Sequence, residues 1–244
     1  RGSFVGIIGP NGAGKSSLLR CLYRFVKPTT GSIFFQNQNI WQLSPKQYAK
    51  QVAVVLQHTP QHFQLSVFDV VSQGLIPHSS FLDNLFEHKD GVEQVHEALK
   101  QVGLIEKQQQ PFELLSGGEK QRAMIAKAIV QKPELLIMDE PTSHLDVKYQ
   151  IQIMELAKSL GITVIASFHD LNLASAICDQ LLVLKQGNLV ATGSANQVLT
   201  EEVISDVFDV CVNVSPHPQH EQPNVVYYYG YQSSDSLPKG VEHD

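Results

Sequence analysis

Eight residues near the start of the chain, Gly9-Pro10-Asn11-Gly12-Ala13-Gly14-Lys15-Ser16, decide its fold. They fit the pattern G-x-x-x-x-G-K-[ST] and follow a short apolar run, residues 4–8, of the kind that forms a buried parallel strand. Glycines let the backbone turn tightly, so that successive N–H groups point at one anion. The pattern predicts a phosphate-binding loop and therefore a chain that binds a nucleoside triphosphate.

Residues within and after the loop have separate predicted roles. Lys15 would reach the β- and γ-phosphates, and the Ser16 hydroxyl could ligate Mg²⁺. Residues 17–25 predict a helix whose positive N-terminal end faces the phosphates, so Ser17 is also a candidate contact. An ordinary glycine-rich turn is the alternative, and the apolar run before the loop makes it less favoured.

Composition limits the class of protein. The 244 residues are enough for a full hydrophobic core, and the net charge is 18 − 24 = −6 without a cluster of Lys and Arg. This balance disfavours a nucleic-acid partner. No apolar run approaches the length of a membrane span, so any membrane role would come through a partner. The cysteines, Cys21, Cys178 and Cys211, are scattered and are expected to be free thiols.

The patterns along the chain predict one α/β domain with an insertion. Strand and helix patterns alternate in residues 1–57 and again in residues 132–209, which indicates a mostly parallel sheet. Residues from about 58 to 131 carry helical patterns only, which predicts an inserted helical subdomain. Residues from about 210 to 244 form a C-terminal extension with two β-like runs, 210–214 and 225–229, joined by a solvated loop.

A second stretch that could take part in catalysis is Leu135-Leu136-Ile137-Met138-Asp139-Glu140. Four apolar residues carry two carboxylates to the C-terminal end of a strand, where open α/β sheets bind ligands. Asp139 would hold Mg²⁺ through water, and Glu140 would polarise the attacking water as a general base. The alternative is two solvated acids after a strand. The phosphate loop upstream makes this alternative less favoured.

The third stretch is Leu115-Ser116-Gly117-Gly118-Glu119. It contains a capping box in which Ser116 caps a helix and Glu119 closes the box. Two glycines in a first helical turn cost about 1 kcal/mol each relative to alanine, and a cap alone has no use for them. Close approach of a second phosphate to the helix N-terminus would explain them.

Taken together, these residues resemble the ATP-binding cassette (ABC) ATPases over nearly the whole chain. The resemblance matches six motifs in the family's order: Walker A (9–16), the Q-loop (Gln57), the signature (115–119), Walker B (Asp139-Glu140), the D-loop (Ser143-His144-Leu145-Asp146) and the His switch (Ser167-Phe168-His169-Asp170). It implies a P-loop NTPase core with a mostly parallel sheet, an antiparallel β portion and an inserted helical subdomain.

The resemblance also implies partners and site residues. In the family, the signature of one subunit closes over the γ-phosphate held by the other, so the chain is expected to form a homodimer with two ATP sites. Ser116, Gly117, Gly118 and Asp146 would then complete the site of a second copy. Gln57 would sense Mg²⁺ and the transmembrane partner, and His169 would contact the γ-phosphate. A solvated amide and an ordinary histidine beside a helix cap remain the alternatives for these two residues.

Softer motifs are similar to those of the iron-siderophore, haem and cobalamin importers: Leu43-Ser44-Pro45, Val67-Phe68-Asp69-Val70-Val71, Ile76-Pro77-His78, His169-Asp170-Leu171-Asn172 and Pro216-His217-Pro218. This implies an ATPase subunit at the cytoplasmic face of the plasma membrane, working with permease subunits and indirectly with a substrate-binding protein. Import of another substrate, a soluble ABC protein of translation or DNA repair, and a P-loop kinase remain alternatives. The kinase does not explain Ser116-Gly117-Gly118.

Some features depart from the family pattern. Lys127 stands where the signature helix commonly has Arg. The family's adenine-stacking aromatic lies on strands that would precede Arg1, so we expect these strands to be missing, ATP to bind weakly and a sheet edge to be exposed. A metal site at His217 and His220 is disfavoured because no Cys or acidic pattern accompanies them.

Overall fold

The structure, a computed structural model, describes residues 2–56, 65–79, 89–143, 145–219 and 221–228. The predictions on Gln57, His144, His220 and residues beyond 228 lie outside these ranges. The strands are β1 (Phe4–Ile8), β2 (Phe34–Phe35), β3 (Gln38–Asn39), β4 (Val52–Val55), β5 (Leu135–Met138), β6 (Thr163–Ser167), β7 (Gln180–Lys185), β8 (Asn188–Gly193), β9 (Val212–Pro216) and β10 (Pro223–Tyr227). The α-helices are α1 (Lys15–Leu22), α2 (Pro45–Ala49), α3 (Val67–Ser72), α4 (Lys89–Gln101), α5 (Gly117–Gln131), α6 (Val147–Ser159), α7 (Leu171–Ile177), α8 (Ala195–Val198) and α9 (Glu201–Phe208).

A six-stranded sheet in the order β4-β5-β6-β1-β7-β8 forms the centre of the fold. Its pairs are parallel from β4 to β7, and only the β7–β8 hairpin is antiparallel. β5 is buried along its whole length, as expected for a strand covered on both faces. This confirms the predicted α/β fold. Because the carboxyl ends of parallel strands meet at one edge, the loops after β1, β5 and β6 converge there.

Helix α5 connects two hydrophobic clusters. Its residues Ile125 and Ala128 pack into the cluster under the sheet. Ala123, Ala126 and Val130 pack instead with α3, α4 and the residue after α4. The buried residues there are Val67, Val70, Val71, Val95, Ala98, Leu99 and Val102. The helices between β4 and β5 therefore have a core of their own, and α5 links that core to the sheet.

The predicted helix that follows the phosphate loop is shorter in the structure. The first helix ends at Leu22 instead of residue 25, because Arg24 has a φ of 63° and the Phe25 N–H donates to the Arg20 carbonyl at 2.8 Å. This left-handed residue closes the helix without the glycine that usually signals such a cap. After this helix, the short strand Phe34–Phe35 pairs with Gln38–Asn39.

The C-terminal hairpin, β9 and β10, is antiparallel, with Val225 opposite Val214. Its strands begin at Val212 and Pro223, and pairing extends to Pro216. The predicted solvated loop from residue 215 to 223 is therefore shorter than expected. None of the helices in the described ranges is long and apolar enough to cross a membrane.

Candidate functional site

The loop that follows β1 is held against the β7–β8 hairpin. The Gly187 N–H donates to the Ala13 carbonyl at 3.0 Å. A Cβ atom on Gly9 would lie 2.2 Å from the carbonyl oxygen of Leu184, so a side chain cannot fit there without moving the backbone. The hydrogen bond from Gly187 therefore holds the loop against the hairpin, and glycine is required at the first position of the loop.

Lys15 lies inside this loop and is only 5% exposed. Its Nζ donates to the Gly9 carbonyl at 2.7 Å and to the Pro10 carbonyl at 3.2 Å. Burial lowers the pKa of the Lys15 amine, while the charges of Glu140 and Asp139 oppose that change. These two carbonyls account for two of the three N–H donors of the ammonium group.

A cavity of about 200 Å³ opens at the N-terminus of α1. It is lined by Asn11, Gly12, Ala13, Gly14, Lys15, Ser16, Ser17 and Glu140. The structure thus brings most of the predicted phosphate contacts together with the predicted general base. Of the residues that the structure describes, none from Leu115 to Glu119 lines this cavity.

Oxygen atoms from α1, from the end of β5 and from β6 meet beside the cavity. The Ser16 Oγ donates to Asp139 Oδ1 at 3.1 Å, and the Ser167 Oγ donates to the same carboxylate oxygen, also at 3.1 Å. Asp139 is itself buried. A hydroxyl and a carboxylate are the oxygen ligands that Mg²⁺ prefers. The residues present therefore fit a magnesium ion held by Ser16 and Asp139.

Glu140 is held by three neighbours and has an unusual backbone. Its φ is 49°, which is uncommon for any residue other than glycine. Its N–H donates to Ser167 Oγ at 2.8 Å, and its Oε2 accepts from Ser143 Oγ at 3.1 Å. Its Oε1 lies 2.7 Å from His169 Nε2. Contacts with Ser143 and with the stretch that contains Ser167 and His169 thus stabilise a backbone conformation that is costly by itself.

These contacts also set the charge of the Glu140 carboxyl. Burial alone would raise its pKa, but the hydrogen bond and charge of His169 outweigh burial, with smaller help from Ser143 and Lys15. The net effect is a pKa below the ordinary value of 4.5, so the group is ionised at neutral pH. An ionised carboxylate can only accept hydrogen bonds, which suits it to orient a water molecule and take its proton.

The predicted capping box is present at the start of α5. The Ser116 N–H donates to Glu119 Oε2 at 3.0 Å, and the Glu119 N–H donates to Ser116 Oγ at 3.4 Å. Lys107 Nζ lies 2.5 Å from Glu119 Oε1. The hydrogen bond from Lys107, followed by those from Ser116, lowers the pKa of Glu119 to about 2.

The two signature glycines also have a packing role. A Cβ on Gly118 would lie 3.2 Å from Tyr149 Cδ1, and one on Gly117 would lie 3.3 Å from Leu145 Cδ2. Asp146, another predicted contact, stands exposed at the N-cap of α6 and is not among the residues that line the cavity. A side chain at either position would therefore be in tight contact with residues at the start of α6, whether or not a phosphate approaches.

Sequence reasoning did not assign site roles to Ser167 and Ser143. Ser167 is fully buried and joins Asp139 to the backbone of Glu140. The signal that could have found it is a hydroxyl residue at the end of a largely apolar strand, as the first residue of the predicted His switch.

Comparison with known proteins gives the family. The model of a family described as ABC transporter matches residues 1–143. The iron(3+)-hydroxamate import ATP-binding protein of Bacillus subtilis (strain 168) is 33% identical over 232 residues, which cover 93% of this chain and 86% of that protein. A hemin import ATP-binding protein of Rhodopseudomonas palustris (strain ATCC BAA-98 / CGA009) is 38% identical over 226 residues, covering 88% of this chain and 81% of that protein.

Solved structures agree with this assignment. A chain from a transporter described as metal-chelate type, in an inward-facing conformation, superposes with a TM-score of 0.80 at 26% identity, covering 94% of this chain and 88% of the other. A nucleotide-free ATP-binding cassette gives a TM-score of 0.71 at 26% identity, covering 85% and 84%. The sequence resemblance is confirmed: this chain belongs to the ABC transporter family.

Proposed function

We propose that this chain hydrolyses ATP as the ATP-binding subunit of an importer for an iron chelate or haem. The observation that carries the proposal is identity of 33–38% over about nine-tenths of the chain to proteins named for import of iron(3+)-hydroxamate, hemin and ferric enterobactin. The softer motifs around residues 43–45 and 169–172 point to the same group.

The site supports hydrolysis by positioning and electrostatics. Residues 9–17 would hold the phosphates through backbone N–H groups, with Lys15 on the β- and γ-phosphates. Ser16 and Asp139 would hold Mg²⁺, which neutralises charge on phosphate oxygens when bound. The Glu140 carboxylate would orient the attacking water and accept its proton, and His169 would hold that carboxylate and contact the γ-phosphate. Gln57 stays a predicted Mg²⁺ neighbour.

We further propose that a complete site needs two copies of the chain. The cavity beside Lys15 is lined by the phosphate loop and Glu140, whereas Ser116, Gly117, Gly118 and Asp146 lie outside its lining. In a head-to-tail homodimer, these residues of one copy would close over the γ-phosphate bound by the other. Because the phosphate loop and the signature residues do not line one cavity within a single chain, a site shared between two copies is favoured.

The remaining partners follow from the importer hypothesis. The helical residues, about 58–131, would pass the closing motion of the core (1–57 and 132–209) to permease subunits. The residues after about 210 would form an extension to that core. The chain would work at the cytoplasmic face of the plasma membrane, and a separate binding protein would deliver the chelate to the permease.

An uptake experiment tests the proposed function. Cells carrying Lys15→Ala should lose uptake of one class of radiolabelled ligand among ferric hydroxamate, ferric catecholate and haem, because the phosphate loop has lost its cation. Lys50→Ala, which removes an exposed lysine outside the cavity lining, is the matched control and should keep uptake.

Two outcomes would favour the alternatives. Unchanged uptake of all ligands, with no polytopic membrane protein co-purifying, would favour a soluble ABC protein. Transfer of phosphate from ATP to an acceptor, instead of release as inorganic phosphate, would favour a kinase.

A further inference from the structure

We propose that the C-terminal hairpin β9–β10 positions His169 for ATP hydrolysis and that Asn172 is the positioning residue through which the hairpin acts. The inference rests on the role proposed above for His169. It gives the hairpin, which lies outside the sheet and outside the phosphate cavity, a defined part in the reaction.

The side chain of Asn172 pairs with the backbone of the hairpin through two hydrogen bonds. Its Oδ1 accepts from the Val225 N–H at 2.7 Å, and its Nδ2 donates to the Val225 carbonyl at 3.1 Å. One side-chain amide thus satisfies both backbone groups of one residue of β10, the strand that faces α7. Because the amide donates and accepts at the same time, the contact fixes both the orientation of β10 relative to α7 and the distance between them.

Two further contacts lie on either side of this pair. The Ser175 Oγ, which is buried, donates to the Pro223 carbonyl at 2.8 Å. At the other end, Tyr227 interacts electrostatically with Asp170: burial and, after it, the charge of Asp170 raise the pKa of the Tyr227 phenol. Pro223 and Val225, alternate residues of β10, therefore follow α7 from its second turn back to its first.

The N-cap of α7 connects these contacts to His169. Asp170 Oδ1 accepts from the N–H groups of Asn172 at 2.8 Å and Leu173 at 3.0 Å. Asn172 therefore bonds to the cap through its backbone and to the hairpin through its side chain. On the other side of His169, the Phe168 N–H is fixed by the Ile7 carbonyl at 2.9 Å.

His169 depends on these backbone supports because its side chain is 47% exposed and receives limited packing. Its Nε2 lies 2.7 Å from Glu140 Oε1, a distance that leaves little room for displacement. Misplacing a group at a reaction centre by about 1 Å can cost about 100-fold in rate. Loosening the first turn of α7 should therefore reduce turnover while leaving the nucleotide pocket intact.

The first test is the kinetics of Asn172→Ala in the full chain. We expect kcat for ATP hydrolysis to fall about tenfold, with KM for ATP changed by less than about twofold, because residues 11–17 are untouched. Asn213→Ala is the matched control: it removes a 2.9 Å bond from the same hairpin to Glu201 of α9 and leaves the α7 contacts in place. It should keep the wild-type kcat.

The second test is independent of turnover. In protein with isotope-labelled histidines, the ring signal of His169 is the one lost in His169→Ala. It should shift in Asn172→Ala and stay in place in Asn213→Ala. An unshifted His169 signal in Asn172→Ala, or equal loss of kcat in both asparagine variants, would overturn the inference.

Failure of the inference can be told apart from failure of the proposed function. If His169→Ala and Glu140→Gln both hydrolyse ATP at the wild-type rate, the proposed site chemistry is wrong, and the inference falls with it. If both lose activity while Asn172→Ala behaves like Asn213→Ala, only the role of the hairpin is wrong.

Discussion

Replacing Ser167 with alanine is expected to destabilise the chain and slow ATP hydrolysis together. The Ser167 hydroxyl is fully buried, donates to Asp139 Oδ1 at 3.1 Å and accepts from the Glu140 N–H at 2.8 Å. Alanine would remove a hydrogen bond to a charged group, worth about 1.5–3 kcal/mol. It would also leave a part-buried N–H without its partner, at a cost of about 1–3 kcal/mol.

These two contributions overlap, so we expect a loss of about 3 kcal/mol in the free energy of unfolding. Urea denaturation followed by circular dichroism measures it. Ser72→Ala is the matched control, because Ser72 is also buried but only donates to the Phe68 carbonyl one turn earlier in its own helix. That carbonyl belongs to the helix ladder, so the control should lose less than about 1 kcal/mol.

The same variant should affect catalysis because Ser167 supports the unusual backbone of Glu140. We expect kcat to fall about tenfold or more, which corresponds to about 1.4 kcal/mol or more in the activation barrier. Ser72→Ala should hydrolyse ATP at the wild-type rate. If Ser167→Ala matches Ser72→Ala in both stability and kcat, the reasoning about this hydroxyl is refuted.

Three further predictions concern other parts of the site. Lys107→Met should lower the unfolding free energy at pH 7 by up to about 1 kcal/mol. Because the pKa of Glu119 is depressed, the difference in urea midpoint between the variant and the wild type should shrink as pH falls from 4.5 towards about 2. A difference that stays constant over this range would contradict the prediction. Gly118→Ala should lower the free energy of unfolding by about 1 kcal/mol, because the new methyl group meets Tyr149. In a Tyr149→Ala background the same change should stabilise the protein, since alanine is the better helix former. Equal effects in both backgrounds would show that the contact does not matter. Glu140→Gln should abolish turnover and give an ATP-dependent dimer in light scattering, and substantial residual hydrolysis with unchanged association would argue against the assigned role.

Much of the fold could be predicted because its signals are local. The run from β1 through Lys15 carries strand, turn and helix signals in sequence, and the run from Leu135 to Glu140 repeats the buried-strand signal. The start of the helix at Gly117–Gln131 was predicted, since a capping box marks it. The end of α1 was not, because Arg24 takes a left-handed conformation with no glycine to announce it.

The contacts that join separate elements could not be predicted from the sequence. Ser167 reaches Asp139 and Glu140 because β5 and β6 pair with Met138 opposite Ala166. That register is a property of the folded sheet, and a shift by one residue would turn the hydroxyl to the other face. Asn172 likewise meets Val225 only after the hairpin docks on α7. The sequence therefore predicts which residue types reach the sheet edge, while the pairing of strands decides which of them touch.

The central claim is that each ATP site is built from two copies of the chain, and complementation of two inactive variants tests it most directly. Lys15→Ala keeps an intact signature, and Ser116→Arg keeps an intact phosphate loop, so each homodimer should be inactive. Mixed in equal amounts, they should form heterodimers with one complete site and recover about a quarter of the wild-type ATPase rate, if the sites work independently. A mixture no more active than the two variants alone, although light scattering shows mixed dimers, would contradict the account.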